Sequence, residues 1–123
     1  MMYAIEEVKS TALAKQLGGP PVFHDGSLKK LLIEDNWAVL SIEILSDKNP
    51  RLKKNTLVNL HLIGISSFYF TSKRLKQGII TIHDLDIRRE DNGLQMRLES
   101  IDGDISAIQF ERIELYEHGK KHN

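Results

Sequence analysis

The chain has 123 residues, of which 17 are Lys or Arg and 17 are Asp or Glu; 41% are hydrophobic and none is cysteine. Such a length suits one domain with one core, and the hydrophobic share is that of an ordinary folded domain rather than a disordered one. Balanced charge argues against direct binding to nucleic acid or an anionic membrane, and the missing thiol excludes disulfides, thiolate metal sites and a cysteine nucleophile.

The first residues lack the basic stretch and apolar run of a signal peptide, and no segment approaches the roughly 18 apolar residues of a membrane span, so a cytoplasmic protein is expected. Over residues 3–17, Ile5, Val8, Ala12, Leu13 and Leu17 recur at helical spacing, with Gly18 as the stop, which predicts one short amphipathic helix. The connector over 18–27 opens with Gly18-Gly19-Pro20-Pro21, which neither a helix nor a central strand absorbs.

From residue 28 the apolar period changes to two. A first strand over 28–34, a tight turn at Asp35-Asn36 and a second strand over 37–45 make a hairpin, with Ala38, Leu40, Ile42 and Ile44 on one face and Ser41 and Glu43 on the other. The polar stretch 46–55, interrupted by Pro50, reads as a mobile surface loop. Residues 56–63 put Val58, Leu60 and Leu62 on one face, Gly64 permits a bend, and 65–70 resumes as a strand. Segments 79–89, 94–100 and 105–117 follow, separated by Asp91-Asn92-Gly93 and Asp102-Gly103, whose glycines supply the positive φ of hairpin turns. The expected fold is a single mainly β domain over 1–123. It is an antiparallel β-sandwich or half-open barrel of about seven strands at 28–117, with one short N-terminal helix and a polar tail at 118–123.

Chemistry is thinly signalled. His24-Asp25 and His83-Asp84 are the pairs that suggest a metal or acid/base site, but such a site needs about three converging ligands and nothing in the spacing forces convergence; no metal and no cofactor are expected. His118 and His122 fall in the tail. Asp84 and Asp86 share a strand face, and Asp102, Asp104, Glu111 and Glu114 lie on later segments of the same meander, so carboxylates could gather into a docking patch for a basic partner protein. Among the aromatics, Trp37, Phe68, Tyr69 and Tyr116 are candidate anchors, while Phe70 and Phe110 suit a core. No phosphate-binding glycine loop and no nucleophile elbow occurs, and no enzyme is expected.

Pro20-Pro21-Val22-Phe23-His24-Asp25-Gly26, followed by an alternating strand, the acidic turn Glu34-Asp35-Asn36 and a second strand, resembles the family catalogued as immunity protein fifty. The stretch from Val58 through Gly64 to Phe70 looks like that family's two-part strand, and Phe110 to Tyr116 like its last one, so the resemblance covers roughly residues 18 to 117. Gly26-Ser27 stands where the family usually carries Ala-Glu. The resemblance implies a non-enzymatic cytoplasmic protein, accompanying polymorphic toxins or contact-dependent growth inhibition systems, that binds a toxin domain and blocks it. Phe23, His24 and Asp25 then read as structural, with Phe23 at the core edge and Asp25 at the turn. The carboxylates and the 46–55 loop would face the toxin. A nuclease, with a ribonuclease favoured, suits an acidic blocker because its substrate cleft is basic. The alternative is a half-open barrel that carries a small apolar ligand between its sheets.

Overall fold

Strand-period alternation of apolar side chains produces eight antiparallel strands in the computed structural model, which describes residues 6–70 and 80–119. Two short helices, α1 (Glu6–Lys9) and α2 (Ala12–Leu17), precede β1 (Ser27–Ile33), β2 (Trp37–Ile44), β3 (Thr56–Ile63), β4 (Ser67–Phe70), β5 (Ile80–Glu90), β6 (Gly93–Ser100), β7 (Ile105–Phe110) and β8 (Arg112–Glu117). Across the sheet the order is β4-β7-β6-β5-β1-β2-β3-β8. The architecture is the mainly β one expected.

The eighth strand arises because the segment 105–117 is broken at Glu111 rather than straight. Opposite that break Gly64 has φ 78°, and a Cβ there would lie 2.9 Å from the Glu111 side chain, so only glycine lets the two chains bend together. Hydrogen bonds from Glu111 N–H to Ile63 O and from Ser66 N–H to Gln109 O, both 2.9 Å, carry the pairing across the bend. Strand β3 therefore runs on into β4, and β7 into β8. One half of the molecule holds β1, β2, β3 and β8; the other holds β5, β6, β7 and β4. They meet again at a corner, where Asp25 N–H donates to Ile82 O (2.9 Å) and Ile82 N–H to Gly26 O (2.8 Å), beside the pairs Ser27–Thr81 and Leu28–Ile80.

Between the halves the inward side chains form the core. Ala38, Ile42, Ile44, Val58, Leu60, Leu62, Ile82, Ile87, Met96 and Ile108 have no exposed surface at all, so no water-sized space touches them. Burying each of the larger ones is worth about 1.5–3 kcal/mol.

The single helix expected over 3–17 is two, and its residues 3–5 lie outside the described residues. Thr11 causes the break: its backbone is extended (φ −70°, ψ 151°), its hydroxyl donates to Val8 O (2.7 Å) and accepts from Ala14 N–H (3.3 Å), ending α1 and capping α2. Both helices lie against β8 and add Val8 and Leu13 to the core. The Glu7 carboxylate reaches Arg89 near the end of β5, so the helical pair bridges the two halves. No helix among the described residues is long and apolar enough to cross a membrane.

The 46–55 segment is tied down, contrary to the mobile loop expected. Buried Asn49 accepts from Val22 N–H (2.8 Å) and donates to Val22 O (3.0 Å) and Leu45 O (2.9 Å), which clamps the loop to the connector. Asn55 closes its other end by accepting from Ser46 N–H (2.9 Å).

Candidate functional site

The turn that feeds β1 is built by Phe23-His24-Asp25-Gly26. Phe23 is buried in the core. Gly26 has no room for a side chain: a Cβ would lie 2.6 Å from Glu43 O and 2.9 Å from Phe23 O, both backbone atoms. Asp25, at φ 66°, is the one non-glycine residue with positive φ among the described residues, a conformation that aspartate tolerates better than most.

This geometry swings His24 across to β5. Its Nδ1 lies 2.5 Å from His83 O, and because a carbonyl only accepts, the proton is assigned to Nδ1; Nε2 faces Asp25 Oδ1 at 3.4 Å. His83 occupies a bulge, where the β5–β6 register shifts between Ile82 and Asp84, and the two imidazoles meet edge to face at 5.5 Å. Lys48 Nζ stands 3.8 Å from the other Asp25 oxygen. His24, Asp25 and His83 thus do come together, which their spacing did not reveal, while Asp84 pairs across to Glu99. Among the described residues, however, no three His, Asp or Glu side chains are placed to hold a metal ion.

The six carboxylates expected to form one patch do not all gather. Asp84 lies opposite Glu99 on the outer face of the second half, at the end where the β6–β7 turn carries Asp102 and Asp104. That turn is fixed by Ser100, whose buried hydroxyl accepts from Asp102 N–H and Asp104 N–H, each at 3.2 Å. Asp86 belongs instead to a charge-compensated stretch, 3.3 Å from Arg88 and opposite Arg97. Glu111 sits at the bend, and Glu114 lies on the other half, 3.4 Å from His61 Nδ1. The acidic end is therefore Asp84, Asp102 and Asp104 joined by Glu99; Asp86 shares the outer face of β5 with Asp84, as expected, but is compensated by Arg88 and Arg97, and Glu111 and Glu114 lie elsewhere. Glu99 escaped the sequence reading because Asp84 was not paired with a residue; counting back from the Asn92-Gly93 turn reaches it directly.

On the outer face of the first half, Ser41 donates to Asn59 Oδ1 (2.9 Å), and the same oxygen lies 3.1 Å from His118 Nδ1. His118 also donates its backbone N–H to Leu57 O, so it belongs to the sheet and not to a loose tail; His122 lies outside the described residues. Trp37 stacks edge to face on His61 at 5.6 Å, Phe110 is buried, and Phe68 and Tyr69 are exposed on β4; the Phe70 side chain lies outside the described residues.

No family model, no curated protein and no solved structure matches this chain.

Proposed function

We propose that the chain is an immunity protein of the cytoplasm that binds a cognate toxin domain, a nuclease and by preference a ribonuclease, and covers its substrate cleft without catalysing a reaction itself. The observation that carries this reading is the acidic end: Asp84 and Glu99 side by side, one step from the turn bearing Asp102 and Asp104, on backbone held by Ser100. Carboxylates on a rigid hairpin complement a basic cleft, raise the rate of encounter and fix its orientation. The sequence resemblance over residues 18 to 117 supports the same role, and the connector turn of that resemblance is the one whose Phe23, Asp25 and Gly26 set the corner between the halves. Surface binding is favoured over carriage of an apolar ligand because, among the described residues, inward side chains such as Ile42, Leu60, Ile82, Met96 and Ile108 are fully enclosed by their neighbours.

Co-expression with a candidate toxin domain from a neighbouring gene tests the proposal. The wild-type chain should co-purify with that domain and rescue growth, and reversing Glu99, Asp102 and Asp104 to lysine should weaken the complex by about a hundredfold or more, mainly through association at low salt. Absence of a complex with the unaltered chain, or a toxin that stays lethal beside it, would falsify the assignment.

A further inference from the structure

On the first half, the clamped 46–55 segment, the end of β8 and α2 enclose an open pocket of about 540 Å³, a volume within the range of small-molecule sites. Arg51, Lys53 and Lys54 bring three cations to its wall, Leu52 and Leu57 an aliphatic surface, and His118 an imidazole. The wall also holds two carboxylates, Glu43 and Glu117, and Lys29 Nζ offsets the first of them at 3.7 Å, so the pocket is basic although the whole chain is neutral.

Among the described residues none of these three cations forms an ion pair, whereas Lys48 of the same segment reaches Asp25 at 3.8 Å. Like charges so close in sequence repel, and an anion bound between them relieves that repulsion. The backbone that carries them is pinned at both ends, by the hydrogen bonds of Asn49 and by Asn55, which accepts from Ser46 N–H and from the Ser46 hydroxyl. Arg51 is placed further by Gly18 at the end of α2: a Cβ there would lie 2.8 Å from the guanidinium carbon, so glycine lets the guanidinium lie against the helix end. His118 is oriented as well. The Oδ1 of buried Asn59, which only accepts, takes the Ser41 hydroxyl at 2.9 Å and stands 3.1 Å from His118 Nδ1; this assigns the proton to Nδ1 and leaves Nε2 as an acceptor.

We propose that this pocket binds a phosphorylated small molecule of nucleotide size. Arg51, Lys53 and Lys54 hold its phosphate oxygens through charge-assisted hydrogen bonds, Leu52 and Leu57 receive its uncharged body, and a hydroxyl or amino group of that body donates to His118 Nε2. A concave site of this volume suits a small molecule better than an acidic protein segment, whose docking needs a broader surface of about 800 Å². The pocket is built by the first half and α2, apart from the acidic end of the other half, and it stands whether or not the chain blocks a toxin.

The test follows the amide NMR spectrum of the whole chain during titration with AMP, ADP, UMP and UDP, with pyrophosphate, adenosine and a glutamate-rich peptide as comparators. At least one nucleotide should shift the amides of residues 51–55 and 118 saturably, with one molecule per chain, and should bind more tightly than any comparator. Lys53→Ala with Lys54→Ala, both at exposed positions, should weaken that nucleotide by about tenfold or more while leaving the circular dichroism spectrum unchanged. Lys15→Ala with Arg112→Ala removes the same charge from exposed positions outside the pocket and should change its affinity by less than about twofold. His118→Ala should erase the advantage of the nucleotide over pyrophosphate. No saturable shift with any nucleotide, equal weakening by the two double variants, or a comparator that binds as tightly as the best nucleotide would each overturn the proposal. None of these readings involves the toxin, so their failure is distinct from failure of the immunity function.

Discussion

Replacing Asn49 with alanine removes three hydrogen bonds at once, to Val22 N–H, Val22 O and Leu45 O. A net contribution of about 1 kcal/mol per bond gives about 3 kcal/mol, and the partly exposed Val22 backbone, which water can reach in the variant, lowers this to about 2 kcal/mol. For a domain of this size that loss corresponds to a fall in Tm of roughly 8–12 °C. Urea unfolding followed by the fluorescence of Trp37, the only tryptophan, measures it. A second readout is trypsin, since Lys48, Arg51, Lys53 and Lys54 all lie in the clamped loop and should be cut in the variant well before the parent. Asn49→Asp should be worse than alanine at neutral pH, because two donated bonds become contacts between a carboxylate and carbonyl oxygens. Its deficit should shrink as acid returns a proton to that carboxyl. A loss below about 0.5 kcal/mol with unchanged tryptic lifetime would show that the loop is held by something other than Asn49.

Gly26→Ala should cost about 3 kcal/mol, because the added methyl meets two backbone carbonyls, whereas Gly103→Ala, at φ 88° with nothing within 4 Å, should cost only the roughly 1 kcal/mol of its backbone conformation; similar values would refute the steric argument. Ser100→Ala should remove about 1 kcal/mol and speed amide exchange at Asp102 and Asp104 while leaving every carboxylate in place, so a complex weakened by this change would show that the fixed turn, and not charge alone, matters.

Period-two alternation and the Asn-Gly and Asp-Gly turns made the β6 and β7 hairpins legible in the sequence, and positive φ at Gly93 and Gly103 is the physical reason. The break at Thr11 was less visible, because the apolar spacing on either side remains helical while the hydroxyl competes for the backbone. What local pattern could not carry were contacts between distant segments. His24 and His83 meet only because Asp25 and Gly26 pair with Ile82, 56 or more residues away, and the bulge at His83 turns a regular strand face aside. The carboxylates failed to gather for a related reason: Glu111 and Glu114 follow the bend into the other half, a change of direction that alternation leaves unmarked.

Because residues 105–117 close both halves, neither can be finished until those residues have left the ribosome. Pairings of such long sequence separation belong to slow folders, in which loop closure precedes any reward from contact. The nascent polypeptide must spend that interval with the apolar rows of β3 and β6 uncovered, which makes the arrival of residues 105–117 the event that ends its exposure to aggregation.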